Sequence, residues 1–497
     1  PPRSTLFPYT TLFRSGLVNK GAIIKVGSGA YLKTSGINGN ITNEVNGLNP
    51  GKIDINGTLI VGGNLNLKPG SWFTIQGLAN VAGNVTVYSD ATGSGSLIDY
   101  GTLTVSGTSI AQIYTPLSSR YYYVSTPVTG ATAGSFGSIA TTDFLYSRNT
   151  ASSTWNRIIN PALVLQNLTG YATRQDANNQ TISLTGTFNT GLQTASIVNT
   201  GDRWNLIGNP YPSALDYGSD NDPVSGWTRT NLRNTIYIKH GAVYATWNMA
   251  DNGTGLNDGS RYIPAMQSFW VKSEGAGALA MNNGVRTHNT SGLLKTDPSC
   301  YQLRLALSGN GITDEAIVRF HSESDDNLDK YDSEKFLSNE TFVPQIYSYL
   351  NEEKMAINTF IEIPERKEVD LGVSTGANGQ FKLRFTGLES FPQTTVIYLK
   401  DKLLNKYINL WQTSEYVFDS KNVKDINRFS LLFSNGTIHL DPTIEKPGFT
   451  VVDENGQKVE VSIFSDKNVL FVQTSSPLNA YIQVYNKIGR ASCRERV

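Results

Sequence analysis

Hydrophobic and polar residues alternate through residues 57–107 in short units of about five positions, each closed by a turn at Gly or Asn. The units are GTLIVGG, GNLNLKPG, SWFTIQG, GNVTVYS, GSLIDYG and GTLTVSG. Repeats this short cannot bury a hydrophobic face alone, so they must stack on one another. The pattern predicts a β-solenoid or tightly wound sheet over 16–110. Its inward positions would be Leu59, Val61, Leu65, Leu67, Phe73, Ile75, Val85, Val87, Leu103 and Val105.

From residue 111 the alternating runs become longer and richer in aromatic residues, with turn-forming loops between them. This spacing favours an antiparallel β-sandwich over 111–294. The runs are Tyr121–Val124, Asp143–Tyr146, Trp155–Ile159, Thr181–Phe188, Trp204–Ile207, Thr235–Lys239, Val243–Trp247 and Ser268–Lys272.

A third set of alternating runs, from YQLRLALSG to RFSLLFS, predicts a second sandwich over 295–436. After a linker-like stretch, VEVSIFSDKNVLFVQ and NAYIQVYNK predict the strands of an incomplete module over 437–487. Because no long helical periodicity occurs, the predicted fold class is all-β: solenoid-like repeats, two sandwiches and a truncated final module.

Charge and hydropathy limit the classes of partner that the chain is expected to bind. Lys and Arg number 41, Asp and Glu also number 41, and charged residues are only 16% of the chain. A chain with no net charge and no basic run is not expected to bind nucleic acid. No apolar stretch is long enough for a transmembrane helix, so no transmembrane segment is predicted.

The chain holds two cysteines, Cys300 and Cys493. Cys493 lies in the atypical last ten residues discussed next, which leaves Cys300 with no partner for a disulfide or a thiolate zinc cluster. Cys300 precedes the alternating run YQLRLALSG. We therefore predict a small buried side chain at the start of a strand.

The two ends of the chain differ in composition from the rest. Residues 1–15, PPRSTLFPYTTLFRS, can be encoded by a DNA string whose reverse complement, read in another frame, encodes residues 488–497, IGRASCRERV. This string resembles a widely used sequencing-library adapter. We therefore expect 1–15 and 488–497 to be translated adapter, and exclude both from the fold argument.

Several stretches resemble a known group of proteins, in this order along the chain: YYYVSTPV, WNLIGNPYPSALD, YIPAMQSFWVK, DEAIVRF, PQIYS, MAINTF and NRFSLLF. They are similar to large cell-surface and secreted proteins of Bacteroidetes that leave the cell by type IX secretion. NAYIQVYNK is similar to a strand of their C-terminal sorting domain, whose second half is missing here. The resemblance implies an extracellular or outer-membrane surface location and the type IX machinery as a partner. It implies no reaction.

Trp204, Tyr211 and Trp247 are candidates for stacking on a glycan. In WNLIGNPYPSALD the residues before each proline are biased toward extended backbone, which ends the strand in a rigid corner. Packing in that corner is the alternative role for Trp204 and Tyr211, and the one we favour from sequence. Further aromatic candidates in the same region are Tyr121, Tyr122, Tyr123, Trp155, Trp227, Tyr244 and Tyr262.

Two acidic loops offer oxygen ligands suited to Ca²⁺. SESDDNLDKYDSEK supplies Asp325, Asp326, Asp329 and Asp332, with Glu323 nearby, and DNGTGLNDGS supplies Asp251, Asn252, Asn257 and Asp258. Neither loop has EF-hand spacing. An ordinary solvated loop is the alternative for each.

Catalytic motifs are lacking in the sequence. Its four histidines have no metal-ligand spacing, and it has no nucleophile elbow or phosphate-binding loop. Asp143, Asp202, Asp216 and Glu315 are carboxylates that a glycosidase could use, but turns and strand ends explain them as well. We therefore predict a non-enzymatic exported protein, structural or adhesive, without a cofactor. The alternative is a carbohydrate-binding module or a polysaccharide-acting enzyme with accessory sandwiches.

Overall fold

The computed structural model describes residues 4–7, 11–289, 300–421, 424 and 426–435, followed by five strands between 448 and 496. The protein is all-β, with 53% of its residues in strands and 2% helical. The helical residues form the short 3₁₀ turns Ala133–Phe136, Asn283–Val285 and Leu388–Ser390. In the described part of the chain, no helix is long and apolar enough to cross a membrane. The predicted fold class is confirmed.

The N-terminal region is a parallel β-solenoid of about four turns. Successive turns each add one strand to three sheets, whose orders are β1-β4-β7-β10-β15, β2-β5-β8-β11-β16 and β3-β6-β9-β12-β17. The strands of this region are β1 (Ser4–Phe7), β2 (Thr11–Phe13), β3 (Leu17–Lys20), β4 (Ile23–Val26), β5 (Tyr31–Thr34), β6 (Ile41–Glu44), β7 (Lys52–Ile55), β8 (Thr58–Val61), β9 (Leu65–Leu67), β10 (Trp72–Ile75), β11 (Leu78–Val81), β12 (Val85–Val87), β13 (Ser89–Asp90), β14 (Gly93–Ser94), β15 (Ser96–Asp99), β16 (Thr102–Val105) and β17 (Ser109–Thr115).

The solenoid core consists of the inward positions that alternation predicts. The predicted side chains from Leu59 to Val87 are fully buried, and each contributes about 1.5–3 kcal/mol by leaving water. Leu103 and Val105 are only partly buried against the same core. They lie in β16, which ends its sheet, so no further turn covers them.

Tight corners hold successive turns in register. The backbone N–H of Asn64 donates to Asn40 Oδ1 at 2.6 Å, that of Asn84 to Asn64 Oδ1 at 2.7 Å, and that of Thr108 to Asn84 Oδ1 at 2.8 Å. At another corner the turns approach so closely that a Cβ on Gly77 would lie 2.1 Å from the carbonyl oxygen of Gly57. The corner hydrogen bonds and the close approach of the turns therefore explain why Gly and Asn recur in the sequence units.

The first fifteen residues contribute β1 and β2, which pair in parallel with β4 and β5. Phe13 is partly buried against the solenoid core, a contact that the sequence did not predict, whereas Leu12 is 52% exposed. The open edge of a parallel sheet can pair with any extended segment, because its N–H and C=O groups have no other partner. These two strands extend two of the solenoid sheets, and the adapter assignment stays a prediction.

The middle region consists of antiparallel sheets built around the 14-residue strand β32. Strands β24, β25, β27 and β28 all pair with β32. The strands are β18 (Tyr122–Val124), β19 (Val128–Thr129), β20 (Phe144–Asn149), β21 (Thr154–Arg157), β22 (Tyr171–Arg174), β23 (Gln180–Phe188), β24 (Gln193–Ser196), β25 (Trp204–Gly208), β26 (Ala214–Asp216), β27 (Trp227–Leu232), β28 (Thr235–His240), β29 (Val243–Asn248), β30 (Thr254–Leu256), β31 (Tyr262–Ile263), β32 (Ser268–Met281) and β33 (Arg286–Thr287).

The C-terminal region is one eleven-stranded sheet that is antiparallel except for the pair β35–β38. The sheet folds over itself, since Phe418 near one end and Phe429 in a distant strand lie with ring centroids 4.9 Å apart. Cys300, just before the first strand, is buried as predicted. The strands are β34 (Tyr301–Gly309), β35 (Ile312–Phe320), β36 (Ser333–Glu334), β37 (Gln345–Leu350), β38 (Glu353–Phe360), β39 (Lys367–Ser374), β40 (Gly379–Thr386), β41 (Val396–Asp401), β42 (Lys406–Asn409), β43 (Glu415–Ser420) and β44 (Ile426–Ser434).

Five strands follow, as a three-stranded antiparallel sheet and a separate pair. They are β45 (Gly448–Val452), β46 (Lys458–Asp466), β47 (Val469–Thr474), β48 (Tyr481–Tyr485) and β49 (Ala491–Arg496). The rest of 437–487 lies outside the described residues, and its assignment as a sorting domain stays a prediction. β49 falls within the second predicted adapter segment.

Buried polar contacts join the three main regions. Between solenoid and middle region, β17 pairs antiparallel with β23, so the predicted boundary at 110/111 lies within a strand. Arg286 donates to Asp99 Oδ1 at 2.5 Å, and the two side chains are 0% and 6% exposed. Between middle and C-terminal regions, Arg319 Nη1 donates to Thr254 Oγ1 at 2.9 Å. The relative positions of the three regions therefore depend on specific hydrogen bonds.

Candidate functional site: an aromatic cleft

A cleft lies where the middle region meets residues 333–342 of the C-terminal region. It consists of a larger cavity of about 620 Å³ and a smaller cavity of about 280 Å³. The two cavities share the lining residues Tyr123, Trp155, Tyr244 and Asn339, and together we call them the aromatic cleft. Their size is that of a small-molecule site.

The larger cavity is lined mainly by aromatic rings. Tyr123 stacks on Trp155 with ring centroids 5.7 Å apart and planes 21° apart. Its hydroxyl lies 3.1 Å from the hydroxyl of Tyr244. The aromatic lining residues are Tyr121, Tyr123, Tyr146, Trp155, Tyr244 and Phe342. The cavity therefore combines flat apolar faces with hydroxyl groups.

The smaller cavity adds Trp204, Trp270 and Phe336 to the lining. Phe336 follows β36 and lies against aromatic rings of the middle region, with centroid distances of 4.6 Å to Trp204, 4.4 Å to Tyr244 and 5.1 Å to Trp270. The cleft is thus completed by a residue distant in sequence from the strands that form it.

Strand alternation explains which tyrosines reach the cleft. Tyr121 and Tyr123 are two positions apart and point to one side, whereas Tyr122 points to the other, where its hydroxyl accepts a hydrogen bond from the backbone N–H of Leu117. Trp155 in β21 is the cross-strand partner of Arg148 in β20, which brings that arginine to the smaller cavity.

Most charged side chains of the cleft are paired, but Arg120, which lines the larger cavity, forms no ion pair with a described residue. Arg148 contacts Asp202, Lys272 contacts Glu334, and Lys239 Nζ lies 3.0 Å from Glu340 Oε1. Burial lowers the pKa of Lys239 below its ordinary value, and the hydrogen bond to Glu340 opposes that shift. Burial also raises the pKa of Tyr123 and Tyr244, so their hydroxyls stay neutral. The cleft therefore offers neutral hydroxyls, paired charges and one cation, Arg120, at the larger cavity.

The carboxylates considered for catalysis are each bound by groups of the chain. Asp202 pairs with Arg148 in the cleft, Asp216 with Arg261 and Glu315 with Arg304. Asp143 accepts hydrogen bonds from the backbone N–H groups of two turn residues, Ser138 and Asp176. These contacts favour structural roles for the four carboxylates.

Of the three predicted stacking residues, only Trp204 lies in the cleft. Tyr211 is fully buried, and its hydroxyl donates to the carbonyl of Met281 at 3.1 Å. Trp247 is 6% exposed, its Nε1 donates to the carbonyl of Gly218, and a Cβ on Gly253 would lie 2.0 Å from its ring. The burial of Tyr211 agrees with the corner packing that the sequence favoured over stacking, and the predicted stacking role of Trp247 is corrected, because neither ring presents a face to a ligand.

The wider set of aromatic candidates divides between the cleft and the core. Tyr121, Tyr123, Trp155 and Tyr244 line the cleft. By contrast, Trp227 donates its Nε1 hydrogen to the carbonyl of Asp216 at 2.7 Å. The sequence reasoning missed Tyr146, Trp270, Phe336 and Phe342. Trp270 stands in a stretch noted for resemblance, SFWVK, but no local pattern marks the others.

The acidic loop that includes the four predicted calcium ligands is held by its own hydrogen bonds. Asp329 Oδ2 accepts from Ser324 Oγ and Asp325 N, and Asp326 pairs with Lys367 at 2.7 Å. Asp332 accepts from the backbone N–H groups of Thr359 and Asp329, and burial raises its pKa to about 7. Among the described residues, no three His, Cys, Asp or Glu side chains form a metal-binding group. Calcium binding by this loop stays a prediction.

The second acidic loop is also engaged with the chain. Asn257 Nδ2 donates to Asp314 Oδ1 at 2.9 Å, and Asp258 lies 3.7 Å from His240. Asp251 lies 3.3 Å from His321. These contacts point in different directions rather than toward a common centre.

Fold and site together define an all-β protein in which a solenoid is joined to antiparallel sheets with an aromatic cleft between two of its regions. Residues 35–433 match a family described as a domain of unknown function, DUF8693, and the chain belongs to that family. The match runs from the solenoid to the last strand of the large sheet, so it includes every residue of the cleft. No curated protein and no solved structure matches the chain.

Proposed function

We propose that this chain is a non-enzymatic, exported adhesive protein that binds carbohydrate in the aromatic cleft. The observation that carries the proposal is the lining of the cleft by flat rings beside neutral hydroxyls and amides. Sugar rings have apolar C–H faces and polar edges, so they need aromatic surfaces and hydrogen-bonding groups together. The solenoid would serve as the stalk that displays the cleft.

Export and location rest on the resemblance to Bacteroidetes proteins of type IX secretion. In this proposal the protein is at the outer surface or in the medium, and the secretion machinery recognises the C-terminal module. Fractionating a Bacteroidetes host that expresses the full gene tests this part. Recovery only in the cytoplasm would contradict it.

Glycan binding is tested with the full chain on a glycan array, with calcium and with a chelator. We expect binding to a defined set of glycans. Loss of binding under chelation would indicate that an acidic loop takes part through calcium. Unchanged binding would indicate that the cleft recognises the glycan without calcium. Reducing ends are assayed in parallel, because their release would overturn the non-enzymatic assignment.

Trp155→Ala should weaken glycan binding about 30-fold, since a central aromatic anchor is worth about 2 kcal/mol. Trp411→Ala is the matched control, because Trp411 is 36% exposed and outside the cleft. Binding by Trp155→Ala equal to wild type, or no binding to any glycan by the wild type, would refute the proposed site.

We also propose that residues 1–15 and 488–497 are translated adapter. Amplifying the gene from its source DNA and sequencing with unrelated adapters tests this. Different residues at both ends support it, and the same residues at either end contradict it.

A further inference from the structure

Two buried nitrogen donors on residues that line the smaller cavity lack acceptors in the described part of the chain. Trp270 Nε1 and Arg148 Nε have no hydrogen-bond partner there. Trp270 is 3% exposed and the Arg148 side chain is 10% exposed. Both residues line the smaller cavity. A buried donor without an acceptor is costly and uncommon, so this pair indicates where a ligand atom would be favoured.

The charge of the cavity restricts what that ligand atom can be. Arg148 already pairs with Asp202, Lys335 Nζ lies 2.7 Å from Asp314, and Lys272 pairs with Glu334. A negatively charged group would therefore find each of these cations already neutralised. A neutral acceptor, such as an amide carbonyl, fits better.

The rings beside these donors add a second requirement. Trp270 lies between aromatic neighbours, with centroid distances of 5.1 Å to Phe336 and 5.9 Å to Trp155. A group that fits here carries an acceptor and a small apolar part together. An acetamido group has both: its carbonyl accepts two hydrogen bonds, and its methyl packs against rings.

We propose that the smaller cavity recognises the acetamido group of an N-acetylhexosamine, which makes the ligand of the aromatic cleft a glycan that contains N-acetylated amino sugars. This inference rests on the proposed carbohydrate-binding function and specifies its ligand class. The Trp270 Nε1 hydrogen donates to the acetamido carbonyl, the rings contact its methyl, and the larger cavity holds the adjoining sugar.

The test is calorimetric titration of the full chain with three β-1,4-linked tetramers, of N-acetylglucosamine, glucose and glucosamine. These differ only at carbon 2, which carries an acetamido, hydroxyl or amino group. We expect the N-acetylglucosamine tetramer to bind at least tenfold more tightly than either of the others. A disaccharide of N-acetylglucosamine and N-acetylmuramic acid is a fourth arm, which distinguishes a cell-wall source from a chitin-like source.

Trp270→Phe keeps a ring and removes the donor. It should reduce the preference for the N-acetylglucosamine tetramer over the glucose tetramer to less than threefold. Trp411→Phe is the matched control, since its Nε1 donates to the carbonyl of Thr395 outside the cleft. Trp270 is 3% exposed, so the smaller ring should lower the melting temperature, and binding is compared at a temperature where both proteins are folded.

Equal binding of the tetramers, or an unchanged preference in Trp270→Phe, would overturn this inference. If other array glycans bind in the cleft while N-acetylated ones do not, the proposed function stands and only the ligand class fails. If no glycan binds at all, both fail together.

Discussion

The solenoid and the aromatic cleft are built by opposite means. In the solenoid, neighbouring turns repeat one short pattern, and buried side chains face their counterparts in the next turn, as Phe73 faces Ile53 on one side and Leu97 on the other. In the cleft, Tyr123, Trp204 and Phe336 converge from separate strands and loops of two regions. Local repetition therefore produces stability, and non-local convergence produces a surface that can bind.

This difference has an energetic counterpart. Solenoid core residues are fully buried, so removing one leaves a cavity that the stacked turns cannot fill. Trp155 in the cleft is partly exposed, so stability depends on it less, whereas the cleft residues Trp270 and Tyr244 are buried. Substitutions in the solenoid should change stability, while substitution of a partly exposed cleft residue should mainly change binding. Because a chain of this size need not unfold in one step, each prediction below refers to the unfolding transition of the region that carries the substitution.

The largest expected effect is that of Phe73→Ala in the solenoid. Phe73 is 0% exposed, and truncating a fully buried phenylalanine costs about 3–5 kcal/mol. Denaturant unfolding measures the loss, and glycan affinity of the folded protein should not change. Leu48→Ala, at a 100% exposed position, is the control. A loss below about 1 kcal/mol would mean that the solenoid relaxes around cavities.

A smaller loss is expected for Gly77→Ala, about 1–3 kcal/mol, because the added methyl would meet the carbonyl oxygen of Gly57 in the preceding turn. Gly27→Ala should be nearly neutral, since no atom lies within 4 Å of the added methyl. Thermal unfolding of the pair compares them directly. Equal melting temperatures would show that the turns are not closely stacked at Gly77.

Acidification should lower the free energy of unfolding by about 2 kcal/mol through His288. This residue lies where the middle region contacts the solenoid. His288 stacks on Trp72 and contacts Ser96 and Thr74. Burial, with the nearby charges of Arg286 and Lys52, lowers its pKa from 6.5 to about 3.

Below pH 6.5 the unfolded chain therefore binds a proton at His288 that the folded chain excludes, so stability falls as the pH falls through this window. The loss is about 1.4 kcal/mol per pH unit at most, or about 2 kcal/mol between pH 6.5 and 5. Comparing the pH dependence of stability of His288→Gln with that of the wild type isolates the contribution of His288, because the variant should lack this loss. Parallel pH profiles would contradict the assignment.

The smallest stability effect belongs to the cleft. Trp155→Ala should lower the free energy of unfolding by only about 1 kcal/mol, because the side chain is half-buried. Its weakened glycan binding should therefore appear in a protein that remains folded. A stability loss as large as that of Phe73→Ala would remove the distinction between the two regions.

The two regions also differ in how far sequence predicts them. Alternation predicts the solenoid core from Leu59 to Val87 because period-two patterns report burial directly. Aromatic character alone made Trp204, Tyr211 and Trp247 stacking candidates, with corner packing as the favoured alternative for Trp204 and Tyr211, and two of the three are core residues. Whether an aromatic side chain is buried or exposed depends on which strands come together, and sequence spacing does not encode that pairing.

Phe336 is the clearest example of what the sequence could not reveal. It follows an acidic loop in SEKFLSN, with no alternating neighbours to suggest a role. It contacts Trp204 where several hydrogen bonds hold this segment against the middle region, among them that from the Tyr237 hydroxyl to the carbonyl of Glu334. Such a contact depends on the docking of two regions.

The antiparallel pairing of β17 with β23 has a mechanical consequence. β17 is the last strand of its solenoid sheet and pairs with β23 over seven residue pairs, from Ser109–Gly186 to Thr115–Gln180. Tension applied along these strands loads all their hydrogen bonds together, so they must rupture at once. Tension that lifts the terminal turn of the solenoid breaks one strand pair at a time. Under tension along these strands, the turns of the solenoid should therefore separate before β17 separates from β23.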